Sequence, residues 1–197
     1  MNRFTITGNS VALDANGLAD DVGAVTPGTT LFVLAATTIS DGLSHKLTIT
    51  PSGSVTGSYV ITGLGPDGEA QSETLATDTV NAVTSAKYYL SVTSVKSPAG
   101  LGSETVDIGW AAASVSPWEY LDPIGEFGPA GMGFACIVDS GSPTYSVQYT
   151  LDGGVTAFTH ADVTGETTSQ AGTILTPVQA VRLSWTVAGE VTMHGLF

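Results

Sequence analysis

Tyr145-Ser-Val-Gln-Tyr-Thr-Leu151, closed by Asp152-Gly-Gly154, decides the fold class. Apolar and polar residues alternate along it with a period of two, which puts Tyr145, Val147, Tyr149 and Leu151 on one face of an extended chain. Val181-Arg-Leu-Ser-Trp-Thr-Val187 repeats the pattern, and a turn predicted at Ala188-Gly189 leads into Glu190-Val-Thr-Met-His-Gly-Leu-Phe197. This reading sets Val181, Leu183, Trp185 and Val187 on one core face, opposite Val191, Met193 and Phe197. Gly133-Phe-Ala-Cys-Ile-Val138 supplies a further strand upstream.

The same grammar runs through the first half. Leu43, Leu47 and Ile49 share one face of residues 43–50, and Ser58-Tyr-Val-Ile-Thr62 follows. Gly65-Pro-Asp-Gly68 has the chemistry of a hairpin turn and joins that strand to Gln71-Ser-Glu-Thr-Leu75. Residues 86–95 read as one long strand, and Thr105-Val-Asp-Ile-Gly-Trp110 as another. No segment carries a sustained 3.6-residue stripe, and turn signals recur at about the 8–12-residue spacing of sandwiches and barrels. Prolines and glycines crowd residues 117–131 and break the pattern there. The expected fold is all-β. Two β-sandwich domains of an Ig-like or jelly-roll-like kind, residues 1–112 and 132–197, are joined by a Pro/Gly-rich linker at 113–131.

Composition narrows the function. The 197 residues carry a net charge of −13, and charged residues make up 12% of the chain, about half the usual ~25%. The basic residues Arg3, Lys46, Lys87, Lys96 and Arg182 are scattered, so no stripe exists to neutralise phosphates. That argues against nucleic acid and against an anionic membrane surface as partners. Cys136 is the single cysteine, which excludes an internal disulfide, and its apolar strand context reads as a small buried hydrophobe. The N-terminal stretch has no apolar signal-peptide region, and the longest apolar run, Leu31-Phe-Val-Leu-Ala-Ala36, falls far short of the ~20 residues that span a bilayer. The expectation is synthesis in a cytoplasm, with no leader removed.

Catalytic motifs are missing. His45, His160 and His194 stand apart from one another, and only His160-Ala-Asp162 resembles a base or ligand pair. Loop serines lack an elbow motif, Cys136 has no positive neighbour to make a thiolate, and no carboxylate spacing picks out a glycosidase pair. No catalytic residue and no cofactor are assigned. Asp14, Asn16, Asp20 and Asp21 cluster oxygen ligands in an acidic loop, a weak metal candidate without EF-hand order. The stronger candidates are for partner binding. Trp118, Tyr120 and Phe127 sit in the irregular segment, where they either plug a joint between domains or reach a neighbouring chain. Met1, Asn2, Arg3 and Phe4 open a short stretch that can add a strand to a neighbour.

Three segments carry a resemblance: Ile61-Thr-Gly-Leu-Gly-Pro-Asp-Gly-Glu-Ala-Gln-Ser-Glu-Thr-Leu75, Val83-Thr-Ser-Ala-Lys-Tyr-Tyr-Leu-Ser-Val-Thr-Ser-Val95 and Val106-Asp-Ile-Gly-Trp110. They are similar to a pattern of tailed-phage structural proteins, with a glycine-rich hairpin before Glu-Thr and a Lys-Tyr-aromatic strand after it. Val147-Gln-Tyr-Thr-Leu-Asp152, Ala157-Phe-Thr-His160 and Pro177-Val-Gln-Ala-Val-Arg-Leu183 resemble the C-terminal part of the same kind of protein. Leu64-Gly65-Pro66 departs from the pattern, which has a polar residue after the glycine. The resemblance implies a virion structural protein of the head decoration or cement type, a homotrimer bound to the major capsid protein, with no catalytic residues. A tail, baseplate or fibre-base protein is the alternative. A carbohydrate-binding sandwich is the third class; it needs an exposed aromatic platform, whereas strand parity buries Trp110 and Trp185 and leaves Trp118.

Overall fold

The computed structural model describes residues 3–24, 26, 28–121 and 131–196. Among them every regular element is a strand: β1 (Arg3–Ser10), β2 (Asp14–Val22), β3 (Ser44–Pro51), β4 (Ser58–Leu64), β5 (Ala70–Ala76), β6 (Val83–Tyr89), β7 (Ser91–Lys96), β8 (Val106–Val115), β9 (Glu119–Tyr120), β10 (Met132–Thr150), β11 (Phe158–Thr159), β12 (Gln170–Ile174) and β13 (Ala180–Leu196). The protein is therefore all-β. The chain divides into two compact units, Leu13–Ala112 and Met1–Ala12 with Ala113–Phe197.

In the unit Leu13–Ala112, β8, β3 and β6 lie side by side with β2 on the other flank of β8, and β5, β4 and β7 form a separate three-stranded sheet. Alternation decides what each sheet contributes. Tyr59 and Ile61 of β4 are buried while Val60 and Thr62 between them are not. They join Leu47 and Ile49 of β3, Val92 and Val95 of β7, and Val106 and Ile108 of β8 in one hydrophobic cluster. Residues 86–95 are two strands and not the single one expected. Tyr89 and Val92 are both buried, a spacing of odd parity that one straight strand cannot bury. The chain bends at Leu90, so β6 pairs with β3 and β7 pairs with β4.

Where β5 and β6 meet, side chains take over from a backbone ladder. The Glu73 carboxylate accepts the Ala86 N–H at 2.8 Å and the Lys87 N–H at 3.2 Å. Lys87 Nζ donates to the Ser72 carbonyl at 2.9 Å, and the Gln71 side chain donates to the Tyr88 carbonyl. The bonds made by Glu73 and Lys87 are charge-assisted, a kind about twice as strong as neutral ones.

The other unit is organised by β10 and β13, which pair antiparallel from Gly133↔Leu196 to Thr150↔Ala180. β12 and β11 flank β10, while β1, β8 and β9 take successive stretches of the far edge of β13. The sequence predicts two strands at 133–138 and 145–151, and two more around a turn at Ala188-Gly189; each pair is one continuous strand. Register shifts at Val138/Ser140, Gly141/Thr144 and Thr144/Tyr145 explain how. Met132, Phe134 and Cys136 are buried at even positions and Tyr145 and Val147 at odd ones, so β10 changes parity while Leu183, Trp185, Val191 and Met193 of β13 keep theirs. One extra residue in β10 is what a β-bulge inserts. At this kink Gly141 (φ 77°) pairs with Gly189 (φ 149°), backbone conformations that L side chains rarely adopt. Val187, expected in the core, is 48% exposed beside the kink.

β1 departs from the expected N-terminal domain of residues 1–112. It pairs with β13 from Arg3↔Leu196 to Ser10↔Gly189 and so builds the second unit. Phe4, Ile6 and Gly8 stand opposite Gly195, Met193 and Val191 and share their buried face. The expected linker at 113–131 starts inside a strand, because Ser114 and Val115 of β8 pair with Trp185 and Ser184. Residues 122–130 lie outside the described residues.

Candidate functional site

The histidines and the cysteine are engaged in holding the scaffold. His45 is fully buried on β3, with Nδ1 at 2.9 Å from the Ala111 carbonyl and Nε2 at 2.7 Å from Asp41 Oδ2. A carbonyl only accepts, so Nδ1 donates to Ala111, while Nε2 faces the Asp41 carboxylate. Asp41 Oδ1 accepts the Leu43 N–H at 3.0 Å, which fixes the turn that leads into β3. His160 uses both ring nitrogens on backbone: Nε2 donates to the Thr173 carbonyl at 3.0 Å and Nδ1 accepts the Asp162 N–H at 3.3 Å. The Phe134 ring stands perpendicular to it, 5.2 Å between centroids. The pairing of His160 with Asp162 is thus through the Asp162 backbone, and its ring nitrogens are committed. His194 Nδ1 lies 3.1 Å from Thr5 Oγ1 across the β1–β13 ladder. Burial pushes the Cys136 thiol from 9.0 up to about 12, partly offset by the neighbouring Tyr145 hydroxyl.

Asp14, Asn16, Asp20 and Asp21 fall within β2 and not in a loop. The strand is irregular there, pairing with β8 only at Asp14↔Trp110, Ala19↔Ile108 and Val22↔Val106, and Asp21 has φ 47°. Their oxygens accept bonds from the protein itself: Asn16 Nδ2 donates to Asp20 Oδ1 at 2.9 Å, and Thr105 Oγ1 donates to Asp21 Oδ1 at 3.1 Å. Among the described residues there is no group of three or more His, Cys, Asp or Glu that could hold a metal ion.

Of the residues proposed for partner binding, Met1, Asn2 and Phe127 lie outside the described residues. Arg3 and Phe4 begin β1, and the Phe4 ring rests directly on Gly195, where a Cβ would collide with it. A cavity of about 420 Å³ opens there, lined by Arg3, Phe4, Thr5, His194, Gly195 and Leu196. Trp118 is half-buried under Arg182, whose guanidinium carbon stands 4.2 Å above the indole. Arg182 Nε also donates to Gln148 Oε1 at 2.8 Å. Tyr120 is 57% exposed and donates its hydroxyl to the Gly153 carbonyl at 3.0 Å. Trp118 and Tyr120 therefore brace the turn after β10, while the Tyr120 ring faces solvent. Of the other tryptophans, Trp185 is 1% exposed and Trp110 is partly buried against the hydrophobic cluster of its unit.

A surface that sequence reading misses lies on β5, β4 and β7. Thr74, Val60, Lys96 and Leu31 follow one another across it in register, as do Ser72, Thr62 and Ser94. Alternation alone signals which residues point outward, but the neighbours across the sheet come only from long-range pairing. No protein-family model, no curated protein and no solved structure matches the chain.

Proposed function

We propose that this chain is a non-enzymatic virion structural protein of a tailed phage that decorates the capsid and stabilises it by bridging major capsid protein subunits. One observation carries most of the weight: His45, His160 and Cys136, the side chains best suited to chemistry, are buried, and both histidines are spent on fixing backbone. The resemblance supplies the rest, and its segments fall on the β4–β5 hairpin, on β6, β7 and β8, and on parts of β10, β11 and β13. The finer architecture belongs to the same reading. The hydrophobic cluster drawn from both sheets of Leu13–Ala112 supports a β-sandwich there, and the buried faces of β10 and β13 support a second, smaller one. A decoration protein works by number. Many copies, gathered as homotrimers on the particle, each bury a modest area and hold a lattice through avidity, so no single contact need be strong.

Gold-labelled antibodies against the chain, applied to purified particles, test this. Dense labelling over heads is the expected result. A few labels at the tail would instead support the tail, baseplate or fibre-base alternative. Unlabelled particles together with clear hits on a glycan array would overturn both in favour of a carbohydrate-binding module, for which the exposed Tyr120 is the available platform.

A further inference from the structure

We infer that the outward face of the β5–β4–β7 sheet, extended by Leu31 and Val33, is a contact between two copies of this chain. The face is chemically unlike the rest of a protein with 18 acidic residues. Its strands read Ala-Gln-Ser-Glu-Thr-Leu-Ala, Ser-Tyr-Val-Ile-Thr-Gly-Leu and Ser-Val-Thr-Ser-Val-Lys, and the only acid among them, Glu73, stands opposite the buried Ile61 and turns to the Ala86 and Lys87 N–H groups. Outward positions are therefore Thr, Ser, Ala and aliphatic, with Lys96 as the one charge. Leu31 bridges to Lys96 at 54% exposure, Val33 is 80% exposed and Leu64 36%. Acids reappear at the ends, with Asp67 and Glu69 in the β4–β5 turn and Asp78 after β5. A centre without outward carboxylates, with the acids kept to the rim, fits the charge-depleted core of an interface.

The composition also selects the occupant. A cationic protein needs carboxylates to meet, and a nucleic acid needs a row of basic groups; this face has neither. Two chains of charge −13 repel wherever their acids face each other, and least where a patch without outward carboxylates meets its own image. A two-fold contact requires a patch that complements itself. Rows of Thr, Ser and Val, which carry no acid to face its own copy, satisfy that requirement. Three strands of six or seven residues at ~3.3 Å each, with the short stretch at Leu31 and Val33 beside them and segments about 4.8 Å apart, cover at most roughly 19 Å by 23 Å. That is small beside the ~800 Å² per partner of a standard interface, so the contact is weak and reversible. It stands independently of the capsid reading.

Sedimentation equilibrium of the full chain, from micromolar to millimolar concentration, is the test. The 20.0 kDa monomer should give way to a dimer as concentration rises. Added salt should tighten the dimer by screening the like charges, the reverse of an ion-paired contact. Val33→Glu and Thr74→Glu, both at exposed positions, should each weaken it about tenfold or more. Val155→Glu, 87% exposed in the other unit, should leave it unchanged. Circular dichroism confirms that each variant is folded. A monomer at every concentration and salt overturns the inference, as does a dimer that salt dissociates. A trimer indifferent to Val33→Glu and Thr74→Glu also overturns it, while leaving the capsid reading standing.

Discussion

The unit Leu13–Ala112 gathers short strands around one hydrophobic cluster, whereas its counterpart hangs on a single long ribbon, β10 with β13, bent at paired glycines. In the first, the hairpin strands β4 and β5 are close in sequence and side chains such as Glu73 stitch the sheets together. In the second, β1 reaches its partner only when Arg3 finds Leu196, nearly the whole chain away. Loop-closure entropy makes the second arrangement slower to form, although less so than its span suggests, because the cost grows only with the logarithm of length. The first unit is thus held by redundancy and the second by register.

Register makes Trp185 the most vulnerable point. Its indole is 1% exposed and lies so close over Gly8 that a Cβ at Gly8 would strike it. Trp185→Ala should cost about 3–5 kcal/mol. Hydrogen exchange followed by mass spectrometry should show β1, β10 and β13 losing protection while β3 and β4 retain theirs. Gly8→Val should produce a smaller loss in the same strands, about 1–3 kcal/mol, from forced repacking. Equal loss of protection in both units would break the contrast.

Redundancy predicts a milder response at Glu73. Glu73→Ala removes the acceptor for two N–H groups, of Ala86 and Lys87, at a position where water can replace it in part. The expected cost is about 1–3 kcal/mol, read from urea denaturation, with faster exchange confined to β5 and β6. Glu73→Gln should cost less, because its amide oxygen still accepts one of the two bonds.

The contrast also explains what the sequence discloses. Alternation in Tyr145–Leu151 and Val181–Val187 reveals the strands, and Gly65-Pro-Asp-Gly68 reveals its hairpin. Continuity of β10 and β13 is hidden, since a bulge resets parity at Asp139 and Gly189 has the same appearance as a turn glycine. The attachment of β1 is hidden too, because nothing local in Arg3–Ser10 names Met193 or Val191 as its neighbours. At the candidate site, the Ser, Thr and Val of β4 are legible, but the carboxylate-free surface emerges only when β5, β7 and Leu31 are set beside them. The roles of His45 and His160 as backbone clamps depend on Ala111 and Thr173, which are equally remote from any motif.

Alkaline titration should separate the units by a smaller margin. The Cys136 thiol is raised by burial from 9.0 to about 12 and sits in the ribbon unit; Tyr59 is raised by burial from 10.0 to about 12 and sits in the other. In each case the unfolded chain releases its proton at the ordinary value while the folded chain keeps it. Stability is therefore intact below that value and falls as pH climbs from it towards the raised one. Cys136 begins to act one unit earlier, so at pH 10 it should cost about 1.4 kcal/mol. Thermal melts from pH 8 to 11 should show the ribbon unit weakening first, and Cys136→Ala should remove the onset near pH 9. A melt unaffected by that substitution would show that the thiol titrates alike in both states.

Tyr59→Phe gives the smallest effect, and its sign is the informative part. The Tyr59 ring is fully buried among Ile61, Phe32 and their neighbours, and among the described residues its hydroxyl has no hydrogen-bond partner. Removing a buried polar group that lacks a partner relieves a desolvation cost and leaves a space the size of one oxygen. The two terms nearly cancel, so stability should stay level or rise by up to about 1 kcal/mol. A loss above that size in urea denaturation would mean that an ordered water bonds the hydroxyl, and that the cluster of this unit is less dry, and less redundant, than its packing indicates.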